Sequence, residues 1–248
     1  KLGLIGVEGN YRGNIYGGGG ALVFSEKNSI DLNIRVYKGE YETTFDMLKP
    51  VVKEIREYFP DISMTYSSEL TITGKLSAKD LIVKGELVAR DVRYKTEDIN
   101  KVKIKYDITG SKIDIPLIKL KKELGSLEGS CLYQIVEKKL EFEANLSALN
   151  LSTLNFYRTF NLGLNGNIYG ELSGQGNLND FSTRIQLKLL DSNIENEPVG
   201  DSNLVMYNNG LDLFMSGDIL DKEIIAKSMI SLGKNKKRSK LHLEINSK

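Results

Sequence analysis

The sequence lacks most of the side chains with which proteins bind metals, form disulfides or attack substrates. It has one cysteine, Cys131, and one histidine, His242, in 248 residues. A single cysteine excludes an internal disulfide, and the two residues together are too few soft ligands for a zinc or copper site. No serine or carboxylate stands in a glycine-marked strand-to-helix turn. We therefore predict no metal site, no cofactor, no catalytic residue and no enzymatic activity.

An excess of charge of one sign and long apolar runs are also lacking. Lys and Arg number 34 against 33 Asp and Glu, so there is no basic field of the kind that attracts nucleic acid, and we predict no nucleic-acid partner. No apolar run approaches the roughly 20 residues of a membrane-spanning helix, and no signal peptide opens the chain. Because the first residue is Lys1 rather than Met, we expect a segment of a longer protein.

What the sequence does contain is alternation of apolar and polar residues. It is clearest in residues 30–36, 102–108, 185–189 and 241–245. A period of two places the apolar side chains on one face of a strand and the charged ones on the other. Such strands are typical of antiparallel sheets with one face in water.

Turn residues separate the alternating segments. Residues 109–111, 208–210 and 216–218 combine glycine with Ser, Thr, Asn or Asp and are predicted as turns. Residues 17–20 are four consecutive glycines. They lack the frame of a phosphate-binding loop and precede a strand rather than a helix, so they are predicted as a turn or bulge.

Two segments have helical rather than strand spacing. Residues 50–59 begin with Pro50, which suits a first helical position, and residues 152–160 begin with Ser152, which is predicted as the N-cap. The two helices lie about 102 positions apart, and the segments that follow them correspond at a similar offset. We predict a repeat of about 100 residues, with one unit at 44–150, another at 151–248, and the end of a preceding unit at 1–43.

A short helix, a glycine-marked strand and then alternating strands resemble the repeats of the AsmA-like superfamily, the TamB type in particular. The corresponding segments are 70–76 and 85–87 in the first unit and 165–168, 170–172 and 176–178 in the second. The resemblance implies an all-β fold with short helices. Its elongated, curved antiparallel sheet would form an open hydrophobic groove, described in that family as a β-taco.

The resemblance also implies a function. Members of this superfamily are bacterial bridge-like lipid transfer proteins, anchored in the inner membrane of diderm bacteria and crossing the periplasm. We therefore expect a periplasmic conduit segment whose partners are phospholipids and, at its far end, an outer-membrane β-barrel protein. The groove is predicted to be lined by Leu81, Val83, Leu87, Val102, Ile104, Tyr106, Ile108, Ile113, Ile115, Leu140, Phe142, Ile185, Leu187, Leu189, Leu211, Leu213, Leu241 and Leu243.

Other interpretations of the same patterns stay open. Alternation is also typical of closed β-proteins with a dry core, such as adhesins and other surface proteins. Exposed strand edges would suit a scaffold that pairs with outer-membrane proteins during their assembly. The basic run at 234–240 is either a solvated hairpin loop or a contact with anionic headgroups. Cys131 is predicted as a small buried residue and His242 as an exposed one on the polar face of its strand.

Overall fold

The computed structural model describes residues 2–24, 28–48, 61–77, 79–155, 157, 163–177, 180–209, 212–219, 221, 223–232 and 239–247. The chain divides into two compact units, Lys1–Lys122 and Glu123–Lys248. Both consist almost entirely of antiparallel strands, so the predicted all-β class is confirmed. None of the helices in the described residues has both the length and the hydropathy to cross a lipid bilayer.

The first unit is a meander in which each strand pairs with its neighbours in the sequence. Its elements are β1 (Leu2–Tyr11), β2 (Asn14–Val23), β3 (Ser29–Glu40), α1 (Tyr41–Leu48), β4 (Ile62–Lys75), β5 (Leu81–Tyr94), β6 (Glu97–Thr109) and β7 (Lys112–Lys121).

The second unit repeats this arrangement, with one two-residue strand, β12, added beside β11. Its elements are β8 (Ser126–Gln134), β9 (Lys139–Asn150), a 3-10 turn (Leu151–Thr153), β10 (Leu164–Asn177), β11 (Asp180–Ile194), β12 (Glu197–Pro198), β13 (Ser202–Asn209), β14 (Asp212–Ile219), β15 (Ile224–Leu232) and β16 (Ser239–Ser247). Among the described strands of either unit, the first and the last do not pair with each other, so each sheet is open.

The strands predicted from alternation are confirmed. Residues 30–36, 102–108, 185–189 and 241–245 lie in β3, β6, β11 and β16. The turn at 109–111 is also confirmed, because β6 ends at Thr109 and β7 begins at Lys112. Residues 208–209 end β13, and Gly210 lies outside the described residues.

Two of the predicted turns are wrong. Residues 216–218 lie inside β14, where Gly217 pairs with Leu204 on one side and Ala226 on the other. Residues 17–20, predicted as a turn or bulge, lie inside β2 and pair with β3, so the turn is wrong, whereas the register with β1 does shift opposite them, between Leu4 and Val7, as at a bulge. In both places pairing with two neighbouring strands outweighs the local turn preference of glycine, which is weak wherever a strand is held from both sides.

The predicted helices have different outcomes. Residues 50–59 lie outside the described residues, and the helix that is described, α1, spans Tyr41–Leu48. The second begins earlier than predicted, because Asn150 rather than Ser152 is the N-cap. Its side-chain oxygen accepts a hydrogen bond from the backbone N–H of Ser152 at 2.9 Å. Asn155 and Tyr157 are helical, and 156 and 158–162 lie outside the described residues.

The 100-residue repeat remains a prediction, and its boundaries differ from the division into compact units after Lys122. The element bounds favour it: β4 and β10 each have 14 residues and begin 102 positions apart. Gly74 and Gly176, at the ends of these strands, have φ values of +120° and +138°. At Gly74 a Cβ would overlap the carbonyl oxygen of Asp80, just before β5, and at Gly176 that of Asp180, the first residue of β11. Both positions therefore need glycine.

A hydrogen-bond network joins α1 to the sheet of the first unit. Asn14 is 0% exposed, and its Nδ2 donates to Tyr16 Oη at 2.9 Å and Thr44 Oγ1 at 3.2 Å. Its Oδ1 accepts from the backbone N–H of Glu40 at 3.0 Å. Tyr66 Oη donates to the same Thr44 oxygen at 2.7 Å, and burial of Tyr66 raises its pKa. The network therefore fixes the start of α1 against β2, β3 and β4.

Candidate functional site

Rows of aliphatic side chains cross the second sheet on one face. Leu187 of β11 pairs with Gly170 of β10 and Leu204 of β13, and Ile185 pairs with Met206. Because side chains alternate along a strand, these rows share one face. We call this the apolar face of the unit and the opposite one the polar face.

A cleft of about 470 Å³ opens on the apolar face of the second unit. Its main walls are Leu164, Ile168, Leu187, Leu189, Leu204 and Met215. Lys188 and Lys227 also border it, from positions that alternate with the aliphatic rows. The volume lies within the range of about 300–1,000 Å³ that is usual for small-molecule sites, but the walls offer few polar groups with which to fix one particular ligand.

The segment after β9 supplies one wall of the cleft. Leu151 is buried and Tyr157 is half-buried, and both line the cleft. Tyr157 Oη donates a hydrogen bond to the carbonyl oxygen of Leu164 at 2.5 Å. Asn150 Nδ2 donates to Asn167 Oδ1 at 3.0 Å. The turn is therefore tied to β10 at two points.

Small residues give the cleft its depth. In the row that continues from Leu204, the next two positions are Gly217 of β14 and Ala226 of β15. A Cβ at Gly217 would lie 3.0 Å from the carbonyl oxygen of Asn203, so even alanine would be crowded there. Because glycine and alanine project less from the sheet than the leucines beside them, the space above Gly217 and Ala226 stays open and forms part of the cleft.

The polar face of the second unit has a different character. Asn203 Nδ2 donates to Asp218 Oδ1 at 2.8 Å across β13 and β14. The aromatic pair Tyr207 and Phe214 also lies there, with ring centroids 4.8 Å apart. Tyr207 is 45% exposed. This face is a solvated surface with one aromatic stack, whereas the cleft side is lined with aliphatic groups.

Predicted groove residues of the first unit share the apolar face of its sheet. Val83 pairs with Ile108, which also pairs with Ile113 of β7. Leu87 pairs with Ile104 in a neighbouring row. The other two predicted residues on this face are Leu81, which pairs with Gly74, and Tyr106, which pairs with Gly85.

Val102 has a different place. It is buried together with Ala89 and Val92, and Met64, Tyr66, Leu87, Ile99, Ile104 and Leu120 pack around the three. At this end of β4–β7 the apolar face is covered by the unit's own side chains. Val102 therefore belongs to a packed core rather than to a groove lining.

Predicted groove residues of the second unit fall into three groups. Leu187, Leu189 and Leu243 line the cleft, and Leu243, on the edge strand β16, is 57% exposed. Half-buried on the same face but outside the cleft are Ile185, Leu140, Phe142 and Leu213. Leu211 and the side chain of Leu241 lie outside the described residues.

A bulge on β7 explains why the sequence misplaces part of the lining. The register shifts between Lys105 and Asp107, so that residues 115 and 116 of β7 both lie opposite Tyr106. Residue 116 is proline, which cannot donate a ladder hydrogen bond and occurs at bulges. Beyond it the apolar face continues with Ile118 and Leu120, which simple alternation from Ile113 and Ile115 misses.

Charges on the polar face of the first unit are arranged as cross-strand ion pairs. Arg35 of β3 contacts Glu69 of β4 at 2.7 Å, and Lys84 of β5 contacts Asp107 of β6 at 2.8 Å. The hydrogen bond and charge of Glu69 raise the pKa of Arg35. Ion pairs on a solvated face contribute little to stability, because water and salt screen their charges.

In the part of the chain that the structure describes, the reactive side chains lie apart from one another. Within the described residues no three His, Cys, Asp or Glu side chains converge as metal ligands would. Cys131 is half-buried beside Phe142 rather than fully buried, and burial raises the pKa of its thiol. His242 is exposed opposite Met229, as predicted.

Comparison of the chain with protein-family models, with curated proteins and with solved structures gives no match. The cleft and the apolar faces therefore carry the functional argument by themselves.

Proposed function

We propose that this chain shelters the hydrocarbon chains of phospholipids on its apolar faces and is a segment of a lipid conduit of the AsmA-like, TamB-type kind. The cleft of the second unit carries the proposal. It is about 470 Å³ in volume, open to the outside and walled by aliphatic side chains from neighbouring strands.

The energetics of hydrocarbon in water favour such a role. Exposing one methylene to water costs about 0.8 kcal/mol, so a chain of about 16 carbons costs on the order of 13 kcal/mol. An open aliphatic face removes most of this cost while leaving a headgroup in water. It also holds a chain without specific polar contacts, so that the chain is free to slide.

The exposure of the leucines in the cleft favours a lipid-binding surface over the dry core of a closed β-protein. In a closed β-protein the inner side chains of one sheet are covered by another. Here Leu187, Leu189 and Leu204 are only half-buried, although they are flanked by paired strands on both sides. Aliphatic groups left open in this way are usual at interaction surfaces.

A pair of adjacent substitutions tests the proposal. Leu204→Asp places a charge in the cleft, and Val205→Asp places the same charge on the polar face of the same strand. Both residues are half-buried aliphatic residues of the same strand, so each variant loses one aliphatic side chain and gains one carboxylate. The measurement is titration of each folded variant with a fatty acid that carries an environment-sensitive fluorophore.

Leu204→Asp should weaken binding about thirtyfold, because two to three methylenes lose their cover at about 0.8 kcal/mol each. Val205→Asp should bind like the unmodified chain. Equal affinities for the two variants would reject the cleft as the lipid site. Native mass spectrometry of the gently purified chain adds a second readout, in which phospholipid adducts are expected and their complete absence would favour the scaffold or surface-protein alternatives.

A further inference from the structure

The last strand of the second sheet has one open edge. Within the described residues, β16 pairs with β15 alone. This pairing is regular over the whole strand, from Ser239 opposite Leu232 to Ser247 opposite Ile224. The backbone N–H and C=O groups that point away from β15 therefore form an uninterrupted row of donors and acceptors along the edge.

The open edge of β1 is interrupted by a bulge, whereas that of β16 is regular. Edge strands avoid unwanted pairing by means of bulges, prolines or charges that point to the apolar side. In β1 the register shifts between Leu4 and Val7, and Gly6 between them has a φ of +55°. β16 has no proline, and its apolar face carries Leu243, 57% exposed, and Ile245, 61% exposed. Such an edge is suited to pairing with a further strand.

The sequence of β16 is complementary to itself in one antiparallel register. With Leu243 opposite Leu243 of a second copy, all nine residues of the strand are paired. His242 then lies opposite Glu244 of the second copy, and the same pair recurs on the other side of the centre. Both side chains are exposed. A histidine N–H donates to a carboxylate, and cross-strand pairs of this kind stabilise a sheet.

Neighbouring registers fit less well. A twofold axis at His242 would oppose two histidines, one at Glu244 would oppose two carboxylates, and both would shorten the overlap. A shift by a single residue would turn the apolar face of one copy away from that of the other. In the register centred on Leu243, by contrast, Ile245 lies opposite position 241, which is a leucine.

We propose that β16 pairs with β16 of a second copy, so that the chain forms a symmetric dimer through this edge. The twofold axis passes between the two Leu243 residues, perpendicular to the sheet, and leaves both apolar faces on the same side. A second copy is favoured over an unrelated strand because the side chains match as well as the backbone. The proposal does not depend on lipid binding.

The first experiment is analytical ultracentrifugation of the full chain over a range of concentrations. The mass should rise to that of two copies and no further, because a twofold dimer closes on itself. Ile245→Lys puts a charge on the apolar side of the edge at two symmetric positions and should weaken the dimer about tenfold. Leu2→Lys is the matched control, since it changes an exposed aliphatic residue of β1, and should have no effect.

The same measurement has two outcomes that would overturn the proposal. One is the mass of a single copy at every concentration. The other is growth beyond two copies, which would mean head-to-tail pairing of β16 with β1 and should then be suppressed by Leu2→Lys.

Disulfide cross-linking tests the register. In a chain whose Cys131 is replaced by alanine, Leu243→Cys puts two thiols at directly opposed positions, with Cα atoms about 5 Å apart and within disulfide reach. Ile245→Cys, on the same face of the same strand, is the matched control, because its two copies would lie about 14 Å apart. Oxidation should convert Leu243→Cys to a covalent dimer and leave Ile245→Cys as single chains. Equal cross-linking of the two would overturn the register.

Charge at position 242 gives a test with a sign. His242→Glu opposes like charges at two symmetric pairs and should weaken the dimer about tenfold, whereas His242→Lys places a cation opposite Glu244 and should strengthen it. Within its own copy, residue 242 lies opposite Met229, so neither variant breaks an ion pair with β15. The net charge of the chain is +1, so repulsion between whole molecules favours the opposite order. That opposite order, or equal affinities, would overturn the pairing of His242 with Glu244.

Folding and the lipid cleft are controlled separately. Ile245 is exposed and lies outside the cleft lining, so Ile245→Lys should retain the fluorescent fatty-acid binding of the second unit. A dimer that binds no fatty acid would reject the lipid proposal and leave the dimer standing. A chain that binds fatty acid and stays single at every concentration would do the reverse.

Discussion

Replacing Asn14 by alanine tests whether a single buried amide holds α1 against the first sheet. The substitution removes two donated hydrogen bonds, to Tyr16 and Thr44, and the acceptor of the Glu40 backbone N–H. A net hydrogen bond contributes about 1 kcal/mol. Tyr16 and Thr44 still bond to each other at 3.1 Å, so neither hydroxyl is left without a partner, and we expect a total cost of about 2 kcal/mol rather than about 3.

The assay is urea unfolding followed by circular dichroism, with Asn100→Ala as the matched control. Asn100 is an exposed asparagine within β6 of the same unit, and its replacement should change the free energy of unfolding by less than about 0.5 kcal/mol. Tyr66→Phe removes one hydrogen bond to Thr44 and should cost about 1 kcal/mol.

The two substitutions should also be coupled. Asn14 and Tyr66 both donate to the hydroxyl oxygen of Thr44, so the double variant should deviate from additivity by about 0.5 kcal/mol or more. If Asn14→Ala is no more destabilising than Asn100→Ala, the network is not what fixes α1, and the reasoning is wrong.

Three further predictions concern single positions. Gly85→Ala should destabilise the chain by about 1–3 kcal/mol, because the new Cβ would lie 2.5 Å from Tyr106 Oη and 2.7 Å from a backbone oxygen, whereas Gly217→Ala, at 3.0 Å, should cost less in the same thermal melt. Cys131 should react with a thiol reagent more slowly than free cysteine, because burial raises its pKa and disfavours the thiolate. Its reaction rate should keep rising with pH above the usual thiol pKa, and a rate equal to that of free cysteine in the folded chain would contradict this. Tyr157→Phe removes one hydrogen bond to β10 and should lower the free energy of unfolding by about 1 kcal/mol. It should also loosen the wall of the cleft and weaken fatty-acid binding severalfold, and unchanged binding would exclude the wall from the site.

How far the sequence predicts the structure depends on whether a feature is local. The period of two places residues 102–108 and 185–189 in strands because the pattern itself states which face is apolar. The turn at 109–111 follows from its own residues in the same way. The 216–218 prediction fails because a strand paired on both sides overrides a local turn signature.

The cleft is harder to foresee because it depends on register. Leu204, Gly217 and Ala226 adjoin only after three strands are aligned, and no sequence spacing gives that alignment. The bulge at Pro116 shifts the later apolar residues of β7 by one position, so alternation continued from Ile113 and Ile115 leads to Leu117 and Lys119 rather than to Ile118 and Leu120. Asn14 had no signal at all, since its partner Thr44 lies 30 residues away.

The meander order of the strands has a consequence for how the chain acquires its structure. Apart from the two-residue β12, which lies beside β11, the described strands of each unit pair in sequence order, so most pairings close short connections at a small entropic cost. In a nascent chain each new strand can pair with the strand synthesised just before it, so pairing does not depend on a distant segment. Assembly during synthesis can therefore advance strand by strand, and in the single chain hydrogen exchange should be faster in the edge strands β1 and β16 than in strands that are paired on both sides.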